Sequence, residues 1–203
     1  MKTAIFIDGQ NFWRSLTRNA ADVRVDYNKL ADYLVEEVHQ GSQIVGDFVG
    51  AHYYVGLGQD APITVLGFLN NLKLQKGYFV HTGPRSNRVM TCFKCGSANT
   101  FTVEKRIDTQ LTADMIRLAA VGAYDVAILV SGDADFIPAI EAVAALGKQV
   151  WIATWSITEL SMDLRRHCFS WISIQAGIEV FRAKSREAKI LENIQLTKEP
   201  TSE

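Results

Sequence analysis

The chain has 203 residues, 48% of them hydrophobic and 21% charged, with 21 Lys and Arg against 22 Asp and Glu for a formal charge of −1. These proportions fit one globular domain of ordinary size, with at most a small insert or tail, and exclude a disordered chain, a collagen-like repeat and a coiled coil. No apolar run reaches the roughly 18–20 residues that span a bilayer, and three cysteines are too few for a disulfide scaffold. In the opening MKTAIFIDGQN an Asp interrupts the apolar run, so it reads as a buried strand rather than a secretion signal, and the expectation is a cytoplasmic protein.

The predicted elements alternate in type. TAIFID (3–8) is a β-branched and aromatic run that ends at an Asp. From Asp26 to His39 the apolar residues Leu30, Tyr33, Leu34 and Val38 recur at helical spacing. DFVGAHYYVG (47–56) is rich in strand formers, Ile63–Lys76 reads as a helix and GYFVHTG (77–83) as a strand. Ile107, Leu111, Met115 and Leu118 lie on one helical stripe within 107–121. DVAILVSGD (125–133) is a second fully apolar run ending in a polar turn. A helix (136–146), a strand (148–154), a helix (158–167) and a short strand (171–174) follow. Alternating strands and helices, with strands that lack polar alternation, predict an α/β fold whose mostly parallel sheet is covered on both faces. The predicted domain covers residues 1–175, with a polar insert at 84–104 that carries CxxCG and reads as a hairpin or knuckle, and 176–203 is expected to form a C-terminal helix and tail.

In such a sheet the working site lies beyond the carboxyl ends of the strands. Asp8-Gly9-Gln10-Asn11 follows the first strand, and Ser131-Gly132-Asp133-Ala134-Asp135 follows the second apolar run. Lys105, Asp108 and Asp114 lie at the start of the helix between them. Carboxylates that abut apolar strands are costly unless neutralised, and several converging ones suit a hard divalent cation such as Mg²⁺ or Mn²⁺. Each also has a plainer reading: Asp135 and Asp108 as helix caps, Asp133 as turn chemistry. Asp108 and Asp114 are six positions apart, which puts them about 120° off a shared helix face.

Taken together, FIDGQNF, EKRIDTQLTADM and LVSGDADFIPAI resemble the NYN domain of the PIN-like nuclease superfamily. The likeness is to its LabA-like bacterial branch, formerly domain of unknown function 88, and runs over about residues 1–175 in motif order. It includes a CxxCG segment before the EK-x-x-D motif. The resemblance implies a Rossmann-like, PIN-type three-layer α/β/α sandwich, an acidic site for Mg²⁺ or Mn²⁺, and RNA as substrate. It carries catalytic roles onto Asp8, Asn11, Asp108, Asp133 and Asp135. Metal contacts fall on Asp8, Asp108, Asp133 and Asp135, with Asp114 as a further position. Phe169 stands where the family commonly has an acid. The implied reaction is metal-dependent hydrolysis of a phosphodiester by an endoribonuclease. The competing reading is a catalytically inactive RNA-binding or regulatory scaffold. A haloacid-dehalogenase-type phosphotransferase would need a second acid two residues after Asp8, where Gln10 stands. His39, His52, His81 and His167 form no nucleophile–base spacing and are expected to be structural.

Residues 84–106 hold Arg85, Arg88, Lys94, Lys105 and Arg106 against Glu104 alone, a local charge of +4 that leaves −5 for the rest of the chain. A basic insert beside an acidic pocket suits an RNA backbone, with Phe93 and Phe101 as stacking candidates and Arg165 and Arg166 as further cations. Cys92 and Cys95 have the spacing of half a zinc ribbon, which needs four ligands. Cys168 and His81 are the candidates to complete it within the chain. Pairing of two chains' knuckles, in a homodimer, is the other route. The plainer readings are a solvated loop and a pair of reduced thiols.

Overall fold

A computed structural model describes residues 1–40, 46–58, 60–104 and 106–183. At its centre, β1 (Lys2–Asp8) lies between β2 (Asp47–Leu57) and β5 (Val126–Val130) and pairs in parallel with both. Beyond β2 come β3 (Tyr78–Thr91) and β4 (Ala98–Glu104); beyond β5 come β6 (Gln149–Thr154) and β7 (Ser170–Ser173). The order is β4-β3-β2-β1-β5-β6-β7, with only β4 antiparallel to its neighbour. Strand order therefore reverses between β1 and β5, where an open α/β sheet leaves a crevice at its carboxyl edge.

Side chains alternate across this sheet between two cores. Ile5 and Ile7 of β1 join Val126, Ile128 and Val130 on one face, against α1 (Gly9–Asn19), α2 (Tyr27–His39), α3 (Ile63–Lys73) and α7 (Ile178–Phe181). Ala4 and Phe6 join Ala127 and Leu129 on the other, against α4 (Ile107–Ala120), α5 (Ile137–Ala145) and α6 (Met162–His167). This is the expected three-layer α/β/α sandwich. Burial of both faces explains why β1 and β5 read as unbroken apolar runs. Register then sets the site: Ile7 pairs with Val130, so the next residues, Asp8 and Ser131, leave the sheet at the same level.

Two elements differ from the periodicity. α1 has no counterpart among the predicted elements, because only Phe12 and Leu16 of its apolar residues reach the core and the rest of GQNFWRSLTRN is largely polar. The helix expected over 158–167 is split into a 3₁₀ turn (Ile157–Glu159) and α6, since Leu160 is extended and the Ser161 hydroxyl caps the second piece at the Leu164 amide (3.1 Å). The insert is a two-stranded ribbon, formed because β3 runs on past β2 and pairs Arg85–Thr91 with β4. Past residue 175 the chain still packs on the domain: Phe181 is fully buried, and its carbonyl accepts from the Asp26 amide at 2.8 Å. Lys105 and 184–203 lie outside the described residues.

Candidate active site

Asp8 ends β1 and caps α1. Its Oδ1 accepts from the Asn11 amide at 3.0 Å and its Oδ2 from the Ser131 hydroxyl at 3.1 Å. The carboxylate is only 7% exposed, so these bonds offset part of its desolvation. Ser131 Oγ in turn accepts from the Asp133 amide (3.2 Å), and Asp133 Oδ1 accepts from the Asp135 amide (3.0 Å), capping the 3₁₀ turn Ala134–Phe136. Asn11 closes the ring from the other side, its Oδ1 accepting from the Gly132 amide at 3.2 Å. Two chain segments more than a hundred residues apart are thus joined at the strand-order reversal.

The packing leaves no slack there. A Cβ on Gly9 would stand 2.7 Å from the Tyr53 ring and from the Tyr54 carbonyl oxygen, and one on Gly132 would stand 2.9 Å from the Glu159 carbonyl oxygen. Both glycines are required by close backbone approach. Burial, with the Asp8 charge adding to it, pushes the Tyr53 hydroxyl up to about 12.

Asp108 enters from α4. It is not a cap: the position before the helix is Arg106, held at φ 75°, a left-handed conformation rare for a side chain that bears a Cβ. The Asp108 carboxyl is raised above the ordinary carboxylate range by desolvation first, then by the charges of Asp133 and Asp135. Those repulsions put Asp108 in the same field as the β5 acids. The capping roles thus fall on Asp8 and Asp133, not on Asp108 and Asp135. Asp114 is committed elsewhere. It accepts from the Tyr54 hydroxyl (3.1 Å) and from Arg117 Nη2 (2.9 Å), and His81 Nδ1 stands 4.0 Å away.

The donor set is one of hard carboxylate oxygens, and Asp133 and Asp135 both repel Asp108, so a divalent cation fits the chemistry of the site. Among the described residues, no three His, Cys, Asp or Glu side chains are arranged so as to hold a metal ion as they stand.

A family model, the NYN domain, matches residues 2–175. The chain belongs to the NYN domain family. It is therefore a member of the PIN-like nuclease superfamily, a group generally of nucleases and hydrolases that typically use divalent metals. Among solved structures it is similar to the crystal structure of a protein of unknown function from Vibrio parahaemolyticus, with a TM-score of 0.60 at 20% identity, covering 90% of this chain and 96% of that one. That likeness is one of fold. No curated protein matches the chain.

The remaining predicted residues of this NYN domain fall mostly on the β3–β4 ribbon and beside β7. Cys92 and Cys95 are exposed at the ribbon tip. Hydrogen bonds from Ser97, first its hydroxyl and then its amide, and next from the Cys92 thiol hold the Cys95 thiol below its usual value. Neither candidate for completing a zinc ribbon reaches them. His81 sits at the base of β3, bonded to His52 (3.1 Å) and Gln110 (3.3 Å), and Cys168 lies beside β7, at the opposite edge of the sheet. Lys94 and Arg106 are exposed and Arg85 is half-buried, whereas Arg88 and Phe101 are placed only as ribbon positions. Phe93 is fully exposed; Phe169 packs on Trp151 with ring centroids 6.0 Å apart. Arg165 is exposed, and Arg166 pairs with Asp163 at 3.4 Å. The other histidines have local partners, His39 at the Thr3 hydroxyl (3.1 Å) and His167 at Glu141 (3.3 Å). Burial, then the neighbouring His81, pushes His52 down to about 4. No described helix is long and apolar enough to cross a membrane.

Sequence reasoning missed a wide cleft beside α1. A cleft of about 1230 Å³ opens between α1, α3 and the carboxyl end of β2, lined by Gln10, Trp13, Arg14, Arg24, Tyr53 and Arg85 among others. Its only available signal was the i, i+3, i+4 spacing of Gln10, Trp13 and Arg14 on a helix the periodicity did not show.

Proposed function

We propose that this protein is a metal-dependent endoribonuclease that hydrolyses RNA phosphodiester bonds at the junction of β1, β5 and α4. The observation that carries this reading is the bonded chain Asp8–Ser131–Asp133, with Asp108 facing the same charges at the reversal of strand order. Asp8, Asp108, Asp133 and Asp135 would hold Mg²⁺ or Mn²⁺, which supplies charge neutralisation and stabilises the leaving oxygen of the phosphodiester. The chain's own contribution is positioning. Asn11 ties the end of β1 to Gly132, Ser131 fixes Asp8 and the Asp133 backbone together, and Asp133 holds the turn that presents Asp135. The β3–β4 ribbon, through Arg85, Arg88, Lys94, Lys105 and Arg106, grips the RNA backbone. Its tip thiols, Cys92 and Cys95, hold zinc in company with the same pair of a second chain, because neither His81 nor Cys168 is near. The test is cleavage of labelled single-stranded RNA with added Mn²⁺ or Mg²⁺. It should stop with EDTA and with Asp133→Asn; cutting that survives both would reject the mechanism.

A scaffold that binds RNA without cutting it is the second reading. It is favoured by the absence of any metal-holding arrangement of three acids among the described residues. It predicts RNA binding with no cleavage under any divalent cation.

A further inference from the structure

α1 presents different residues to two neighbouring spaces. Asn11 faces Gly132, while Ser15 and Asn19, on the same stripe, donate to Glu159 at 2.6 and 3.0 Å. Gln10, Trp13 and Arg14 line the cleft on the far side. The cleft begins at Gly9 and Gln10, the two residues that directly follow Asp8, so the first turn of α1 stands between it and the acid junction.

Three properties define what it can take. Its volume of about 1230 Å³ exceeds the ~300–1,000 Å³ of an ordinary small-molecule pocket, which suits a short stretch of polymer better than one compact ligand. Its charged lining is Arg14, Arg24 and Arg85 against Asp60, a net positive surface next to a cluster of acids. Its apolar lining is mostly aliphatic but holds four aromatic rings: Tyr27 packs against Tyr53 and Phe68 with ring centroids 5.9 and 5.3 Å apart, and Trp13 stands at the rim, 60% exposed. Guanidinium groups together with flat aromatic faces are the equipment of single-strand recognition, in which cations track phosphates and bases stack on rings.

We propose that this cleft seats unpaired nucleotides of the RNA strand next to the scissile phosphate, with Trp13 as the stacking platform and Arg14, Arg24 and Arg85 on the phosphates. The inference rests on the ribonuclease reading and adds where the strand beside the cut site is held. A duplex, whose bases already stack on each other, has no ring face to offer Trp13. Arg85 also begins the paired part of the basic ribbon, so the cleft and the ribbon form one continuous track.

The test uses the full chain in EDTA, where binding is read without cutting. An unstructured oligouridylate of about ten nucleotides should quench part of the tryptophan fluorescence of the unmodified protein, and that part should be missing in Trp13→Phe. Trp13→Ala should weaken binding roughly tenfold, the loss expected for one stacked base. Arg14→Ala should lower the salt slope of binding by about one. An abasic ribose-phosphate chain should bind the unmodified protein and Trp13→Ala alike. Equal oligouridylate affinity for the unmodified protein and Trp13→Ala, or equal binding of RNA duplex and single strand, would overturn the proposal. Quenching by an acidic peptide that matches the oligouridylate would replace it with a protein partner. Circular dichroism checks that the Trp13 variants fold. RNA cleavage that is normal in Trp13→Ala sinks the cleft and leaves the nuclease standing. Trp13-dependent binding without cleavage under any cation does the reverse.

Discussion

The acid junction and the β3–β4 ribbon are built on opposite principles. At the junction, each of Asp8, Asn11, Ser131 and Asp133 is fixed by a bond to another member, and the intervening glycines admit no added methyl group. The ribbon departs from the sheet, exposes Lys94, both thiols and Phe93, and owes its form to backbone pairing between β3 and β4. Placement to within a fraction of an ångström is needed where a bond is to be broken. A charged surface that slides along a polymer needs only sign and reach. The comparison teaches that mutations at the junction should act on rate and fold, whereas mutations on the ribbon should act on affinity.

The largest effect is expected from Asp133→Asn, which keeps the shape of the turn but removes a charge. RNA cleavage should fall by roughly a hundredfold or more with the circular dichroism spectrum unchanged. A variant that retains a tenth of the activity would break the contrast. Gly9→Ala comes next. The added methyl meets Tyr53 and the Tyr54 carbonyl, so overpacking should cost about 1–3 kcal/mol and lower the melting temperature by several degrees. Changing Arg85 and Arg88 to Ala should weaken RNA binding and reduce its salt slope by about two, with the rate at saturating RNA preserved. An unchanged slope would remove the ribbon from the RNA path. Cys92→Ser with Cys95→Ser should abolish bound zinc and any zinc-dependent dimer seen by sedimentation, while leaving the melting temperature of the monomer in place. Zinc retained in that variant would locate the metal elsewhere.

The smallest effect separates charge from shape. Asp108 is raised by burial and by Asp133 and Asp135. Between the ordinary carboxylate range and that raised value, the folded protein keeps a proton the unfolded chain has lost, so stability falls as pH rises through the window. At neutral pH in EDTA, Asp108→Asn should therefore raise the melting temperature slightly. Mn²⁺ should stabilise the unmodified protein more than this variant. A fall in melting temperature for the variant in EDTA would show that Asp108 is held by an attractive partner instead.

Much of this was legible in the chain itself, for physical reasons. β1 and β5 announced themselves because both their faces are buried, and Asp8, Asp133 and Asp135 stood out because polar residues at the ends of such strands need a reason to be there. Asp108 was legible by motif alone. Its closeness to Asp133 depends on how α4 packs over the sheet, which no local spacing encodes. Asp114 was also legible by motif, but its bonds to Tyr54 and Arg117 were not, since they come from another strand and the next turn of its own helix. α1 was hidden because it is mostly polar: only Phe12 and Leu16 of its apolar side chains reach the core, too few to stand out as an apolar stripe directly after β1. With it went the cleft, whose walls come from α1, α3 and β2.

A single rod carrying both a clamp and a stacking platform behaves as a gauge. The angular offset between Asn11 and Trp13 is set by the pitch of α1, about 100° per residue, and no loop lies between them to absorb an error. Inserting one residue after Asn11 would put that clamp about 100° out of register with Phe12 and Leu16, which hold α1 on the sheet, and so with Trp13 and Arg14. Cutting position relative to a seated base is then dictated by helical geometry, so the break should fall at one constant offset from the seated base whatever the length of the flanking strand.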